Sequence, residues 1–273
     1  MTIDAHISVY IDEFVPAFER SETKLRGACF TKTNINGKTA VFLVSGTPTA
    51  VAKERGANGQ FVARQNSNTQ NSCVLKEIYD LLEGTKFTWD LSQADQRMIA
   101  AQSAAKCLYR KMEDQITDQL DTASVTQTAA VASLEWAQDA LSTLAEANVP
   151  TDNEDDLFGL MTPRAMRYLV QIPEFSSADY VETKSLDGNL LKYKRWAGLN
   201  WIEHNGLTGR VTSQANCFFF HRNAIGHACQ TSEMVVDAGF ERKQQTYWSL
   251  ATAWCEAKLL QDSGVVLAYH TDS

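Results

Sequence analysis

Residues 92–121 read SQADQRMIAAQSAAKCLYRKMEDQITDQLD, and the spacing within them decides the fold. Ala94, Met98, Ala101, Ala105, Leu108, Met112, Ile116 and Leu120 recur at intervals of three or four, which puts them on one face of a helix with about 3.6 residues per turn. Ser92 is placed to accept a hydrogen bond from the amide of Asp95, and the Asp95 carboxylate falls in the first turn, where unpaired amides favour negative charge. At a rise of about 1.5 Å per residue the helix is about 45 Å long, comparable with the diameter of a small domain. Gln102, Lys106, Arg110, Glu113 and Asp114 fall on its other side and read as a solvated face. Arg110 and Asp114 make an i,i+4 pair worth a few tenths of a kcal/mol.

Immediately upstream, Gly37–Ser72 is polar and punctuated by glycine, and it reads as a long exposed β-hairpin. One strand runs from Lys38 through Val41, Phe42, Leu43 and Val44 and breaks at Gly46 and Pro48; the other resumes over Gln60–Arg64. The tip between them, Lys53–Gly59, is charged. Such a hairpin offers little apolar surface to a core of its own, and an isolated hairpin is marginal in water, so it is expected to lie against something else. An ordinary surface hairpin is the alternative. Residues 1–35 interleave Val9, Ile11, Phe14, Val15 and Phe18 with acids, the pattern of an arm laid on a neighbour.

Downstream of the hairpin, Cys73–Leu82 and Lys86–Leu91 read as strands, or as a strand and a short helix. After the long helix, a second helix is expected over Gln127–Asn148 with Val131, Leu134, Leu141 and Leu144 inward, stopped by Pro150. Leu157–Met161 is a buried-strand candidate, and Thr162-Pro163 supplies a cap and a first-turn proline for a helix with Met166, Leu169 and Val170 on its apolar face. Cys217–Phe220 reads as a strand and His221–Ala228 as a following helix. The chain closes on an aromatic and β-branched stretch, Thr246–Leu260, a turn at Gln261–Gly264 and a strand, Val265–Tyr269, expected to return to an earlier sheet. The sum is an α+β fold.

Composition sets the outer limits. The 273 residues are 44% hydrophobic, enough for one large or two modest domains with a sizeable core. A net charge of −8 argues against a dedicated nucleic-acid binder, whose affinity comes from clustered Lys and Arg. The first ten residues lack a signal-peptide pattern and no run of about eighteen apolar residues occurs, so a soluble protein that contacts no membrane is expected. Six cysteines, at 29, 73, 107, 217, 229 and 255, form no C-x-x-C pair and read as reduced thiols. Cys217, His221, His227 and Cys229 are potential metal ligands within thirteen residues, but their spacing matches no common site. Cys217 with His221, or Cys229 with His227, would be the nucleophile and base of an enzyme. No G-x-S-x-G, G-x-x-x-x-G-K-[ST] or H-E-x-x-H accompanies them, so no enzymatic activity, cofactor or metal is expected.

Taken in order, these parts resemble the major capsid proteins of tailed bacteriophages with the Hong Kong 97-like fold. KTAVFLVSGTPTAVAKERGANGQFVARQ is similar to that family's extended loop, and DLSQADQRMIAAQSAAKCLYRKMEDQI to the entry of its spine helix. ANVPTDNEDDLFGLMTPRAMRYLVQIPEFSSADY resembles the axial-domain stretch, and FFFHRNAIGHA and LLQDSGVVLAYH are also familial in character. The resemblance implies an N-terminal arm over 1–35, an extended loop over 36–75, a peripheral domain over 76–124 carrying the spine helix 92–121, an axial domain over 125–239, and a return to the peripheral domain over 240–273.

It further implies self-assembly into pentamers and hexamers of an icosahedral shell around double-stranded DNA bound without sequence specificity. Assembly would take place in the host cytoplasm, with a portal protein and a decoration protein as further partners. The chain carries no long charged N-terminal extension, so a scaffolding protein is expected to be a separate chain. Lys53, Glu54 and Arg55 at the loop tip, with Phe14 and Phe18 in the arm, are the expected intersubunit contacts; crosslinking through Lys53 is not expected. An encapsulin-type nanocompartment shell of the same fold is the alternative.

Overall fold

In a computed structural model of the chain, the residues described are 24–35, 37–46, 50–55, 59, 61, 63–87, 96–173, 194–210, 212, 214–230 and 235–271. The long helix, α2 (Gln96–Leu120), follows a short α1 (Lys24–Ala28). Ser92, Ala94 and Asp95, assigned to its start, lie outside the described residues. Its buried apolar residues are Ala100, Ala104, Leu108, Met112, Ile116 and Leu120, an unbroken i+4 series. Ala101 and Ala105, expected inward, are only half-buried, because the stripe that meets the sheets passes through Ala104. A second departure is polar. Glu113, expected in solvent, is buried, as are Gln115 and Thr117. Gln115 Nε2 donates to Cys255 O at 3.3 Å, and Gln119 Oε1 accepts from Leu259 N at 3.3 Å, so amide side chains tie the helix to a neighbouring strand. Glu113 accepts from His204 Nε2 at 3.0 Å, while His204 Nδ1 accepts from Gly206 N, which fixes the proton of a neutral His204 on Nε2.

Two sheets share that helix. The six-stranded sheet has the order β5 (Thr126–Ala130), β13 (Val265–Thr271), β9 (Gln214–His221), β6 (Leu157–Met161), β8 (Leu199–Glu203), β7 (Lys194–Trp196). Its central strands are buried on both faces. Leu157, Met161, Cys217 and Phe219 pack with Trp136, Ala140 and Leu144 of α3 (Leu134–Glu146) and with Ala165 and Leu169 of α4 (Pro163–Val170). Phe158, Leu160, Phe218 and Phe220 pack on the opposite face with Leu25 of α1 and with Ile116 and Leu120 of α2. This is why β6 and β9 read as continuous apolar runs rather than as alternation. Thr162 caps α4 by accepting from Ala165 N, and Pro163 opens it, as expected. Val170 of the expected apolar face is exposed.

The five-stranded sheet contains β1 (Phe30–Lys32), β10 (Ile225–Cys229), β12 (Thr246–Leu259) and β11 (Val235–Glu241), with β4 (Lys76–Thr85) on the other edge of β12. Leu108 and Met112 of α2 cover Ile78, Ala251, Ala253 and Cys255 of this sheet. The pairing cuts across the expected division at residue 239. Ile225–Cys229 and Val235–Glu241 belong to the sheet of β12, whereas the last strand, β13, lies between β5 and β9 of the six-stranded sheet.

Three further expectations are corrected. Thr126–Ala130 is a strand rather than the start of a helix, because it pairs with β13; the helix begins only where the Ser133 side chain accepts from Trp136 N. Ile225–Cys229 is a strand rather than a helix. It is flanked by β1 and β12 and wholly buried, and periodicity does not distinguish a short buried run of either type. The partner of β2 (Thr39–Ser45) is β3 (Asn68–Val74), not Gln60–Arg64. Phe61, Ala63 and Arg64 lie outside any strand.

His221 sits at the corner where β9 leaves one sheet and β10 enters the other, and its Nδ1 accepts from Asn223 N at 3.1 Å. Burial holds its imidazole below the ordinary histidine range; Asp156 opposes this and Arg222 adds to it. The unfolded chain therefore takes up the proton first. The stabilisation is complete above about pH 6.5 and is lost as pH falls from there through the lower folded-state value. The melting temperature is expected to hold steady above pH 7 and to fall towards pH 5, less steeply in His221→Asn, which keeps a cap acceptor; calorimetry across that range checks this. Ile116→Ala, which opens a cavity where the helix meets the six-stranded sheet, is expected to cost about 2–5 kcal/mol in denaturant titrations of the dispersed subunit.

Candidate assembly surfaces

The hairpin is divided into a base held by the core and an outer part that is not. Ala40 and Phe42 of β2 and Cys73 of β3 are buried with Ile35, Leu75 and Ala228. Asn71 Nδ2 donates to Leu260 O at 3.0 Å, and Lys32 Nζ donates to Val41 O at 2.9 Å. Gly226 of β10 permits this docking, since a Cβ there would stand 2.9 Å from the Phe42 ring. The hairpin thus has more apolar contact with its own chain than its polar sequence indicates. Its ladder ends at Gly46, whose amide donates to Ser67 O.

Exposure of the apolar side chains starts inside the ladder, where Leu43 of β2 is 77% exposed, and continues beyond Gly46, where Val51 is 81% and Phe61 83% exposed. Lys53, Glu54 and Arg55 are likewise exposed. Arg55 is engaged within its own loop, with Nε donating to Gly59 O at 2.9 Å and its guanidinium 4.9 Å from the Phe61 ring centre. That leaves Lys53 and Glu54 as the outward charges of the expected triad. Phe14 and Phe18 lie outside the described residues.

A second surface escaped the sequence reading. On the side of the β4–β12–β11 ribbon turned away from α2, Tyr79 stands opposite Thr252, Leu81 opposite Leu250, Glu83 opposite Trp248 and Glu77 opposite Trp254. Tyr79 is 69% exposed and Leu81 is exposed, and both tryptophans are half-buried. The period-two alternation of Tyr79, Leu81 and Glu83 against buried Ile78 was the available signal, but it predicts which residues share a face and not which face is covered.

The expected ligand cluster is taken apart. Cys217 lies in the core against α3 and α4, where burial pushes its thiol up to about 12, and His221 is the corner cap. Four residues apart on one strand, they stand about 13 Å from each other, which rules out nucleophile and base. His227 and Cys229 do adjoin, and their third neighbour is Cys255. A groove of about 600 Å³ beside α2 is lined by Cys107, Arg110, Lys111, Asp114, Asn205 and Arg210.

The description "Phage capsid protein" belongs to a family model that matches residues 3–271. The chain belongs to this phage capsid protein family. A capsid protein is a structural component of the virion, and its role is to join copies of itself in a shell. The fold is also that of solved phage structures. A chain of the Ralstonia phage GP4 capsid superposes with a TM-score of 0.70 at 12% identity, covering 99% of this chain and 96% of that one. A chain from Mycobacterium phage Che8 gives 0.69 at 17% identity, covering 98% of each. The capsid structure of cyanophage P-SCSP1u gives 0.68 at 13% identity, covering 99% and 94%. No curated protein sequence matches the chain significantly. Near-complete coverage in both directions extends the likeness to the hairpin as well as the two sheets.

Gly226→Ala is expected to cost about 1–3 kcal/mol by forcing the Phe42 ring off β10. Limited proteolysis of the variant should then cut the hairpin faster than in the parent, with α2 unaffected.

Proposed function

We propose that this capsid protein is the major shell subunit of a tailed phage, forming pentamers and hexamers that close into an icosahedral shell around double-stranded DNA. The observation that carries the reading is the family match over almost the entire chain, joined to a fold shared end to end with phage capsid chains of similar length. Rings of five and six are heterologous contacts that close on themselves, and a shell of many weak repeated contacts is strong because a subunit leaves only by losing all of them at once. The match to phage capsids favours this over a nanocompartment shell.

In this reading the domains are an arm, a loop built on β2 and β3, a peripheral unit of α2 with the five-stranded sheet, and an axial unit of the six-stranded sheet with α3 and α4. Lys53 and Glu54 make ion pairs to a neighbouring copy, Val51 and Phe61 seat against it, and Phe14 and Phe18 anchor the arm. The exposed face around Tyr79, Leu81 and Trp248 is a further contact. The net charge of −8 suits a container that does not grip packed DNA. A separate scaffolding protein, a portal and a decoration protein complete the particle, which assembles in the host cytoplasm.

Deleting Thr47–Asn58 removes the outer loop but spares the buried base. The shortened chain is expected to keep its circular dichroism spectrum and melting transition while yielding few closed particles by electron microscopy. Normal particles from the deletion, or an unfolded chain, would contradict the assignment of the loop to intersubunit contact.

A further inference from the structure

The antiparallel register of β10 and β12 sets Cys229 directly opposite Cys255. Leu260 N donates to Ala224 O and Gln230 N donates to Trp254 O, so those two pairs are hydrogen-bonded and, by alternation along the ladder, Cys229 and Cys255 form a non-hydrogen-bonded pair. Such pairs hold their Cα atoms about 4.5 Å apart, within the range that a disulfide spans. Both cysteines are free thiols, and their Sγ atoms lie 2.6 Å apart. The His227 ring, on the same face of β10, places Nδ1 3.7 Å from Cys229 Sγ. All three side chains are buried.

We propose that Cys229 and Cys255 are a dithiol that hydrogen peroxide converts to a cross-strand disulfide beneath the long helix. The imidazole of His227 stands beside Cys229, which makes Cys229 the nucleophile. Hydrogen bonding from the Cys255 thiol, aided by His227, draws the Cys229 thiol down, while the same bond and burial push Cys255 up. Its thiolate attacks one peroxide oxygen, the O–O bond breaks, and the departing hydroxide takes up the proton that Cys229 had released. This yields a sulfenic acid and one water. The Cys255 sulfur then attacks the Cys229 sulfur, the S–O bond breaks, and the hydroxyl leaves with the Cys255 proton as a second water. Two thiols are oxidised by two electrons, and one peroxide is reduced to two waters. The oxidant is a two-oxygen molecule, small enough for a buried site.

A soft metal ion fits the same atoms less well. Tetrahedral zinc with Zn–S bonds of about 2.3 Å would hold two thiolates about 3.8 Å apart, and a structural site takes four ligands. Here the sulfurs are closer than that, and among the described residues the group offers three ligands, beside apolar Leu108, Met112, Ala251 and Ala253.

The location gives the bond a consequence. The β11 pairing of β12 ends at Thr252, opposite Val235, and the β10 pairing begins at Cys255. A bond at Cys255 pins β12 where it changes partners, under the helix that both sheets share. The other buried thiols are not poised for this, since desolvation raises Cys29, Cys73 and Cys217.

The test uses the full chain, treated with hydrogen peroxide, denatured, blocked with N-ethylmaleimide and digested with trypsin without reduction. Cleavage at the basic residues separates 223–242 from 244–258, each with one cysteine. The expected product is one crosslink joining those peptides, together with a melting temperature several degrees higher that dithiothreitol reverses and Cys255→Ala abolishes. Maleimide on both cysteines after peroxide, a crosslink between other cysteines, or one zinc per purified chain with both thiols unoxidised would each overturn the proposal. Should Cys255→Ala not fold, the crosslink map of the unaltered chain decides alone.

Discussion

The whole structure depends on one apolar stripe serving two sheets. Leu108 and Met112 of the long helix cover the five-stranded sheet, and two turns later Ile116 and Leu120 enter the core of the six-stranded sheet. Neither sheet could bury its helix-facing side without that rod, and the rod is too polar elsewhere to stand alone. The polar groups along it are absorbed rather than exposed. Gln115 and Gln119 bond to the backbone of β12, Glu113 bonds to His204, and Asp121 just past the end accepts from Thr208 and Asn216. A carboxylate at a helix C-terminus is unfavourable against the dipole, and these two donors offset it.

What could be read from the chain follows from which signals are local. The long helix is local: its i+4 series survives in the structure with the stripe displaced by one residue in its first half. Thr162-Pro163 is local too, because a cap and a first-turn proline act within one turn. Glu113 was misread because its partner, His204, is 91 positions away, and spacing along a helix cannot report a distant histidine. Thr126–Ala130 and Ile225–Cys229 were misread because strand identity there is conferred by β13, β1 and β12, none of them adjacent in sequence. For the hairpin, the first strand was marked by Val41–Val44, but the second is Asn68–Val74, whose polar residues are largely exposed and carry almost no apolar signal.

The candidate assembly surfaces were legible only as composition. A polar hairpin with a charged tip announced exposure, and the structure adds where exposure begins: after Phe42, at the point where Gly226 ceases to receive it. That boundary divides the described hairpin residues into those that stabilise the subunit and those whose side chains stay exposed to solvent. The apolar face at Tyr79 and Leu81 was hidden because alternation is equally consistent with a face covered by the chain's own helix, and here the helix took the opposite side.

The cysteines make the same point about distance in the chain. Local spacing singled out His227 with Cys229 and set Cys217 and His221 beside them, yet the strand that carries Cys217 belongs to another sheet. Cys255 was the missing member, twenty-six positions downstream of Cys229 and joined to it only by the register of β10 on β12. A register shifted by one residue would turn Cys255 to the face of Phe42 and leave Cys229 opposite Glu256. The register is held by Leu108 and Met112 pressing on Ala251, Ala253 and Cys255 from one side, while Phe42 and Cys73 occupy the other. The pairing of the two sulfurs is therefore a by-product of the same packing that seats the long helix, so the chemistry available at that point is set by the core and not by any motif.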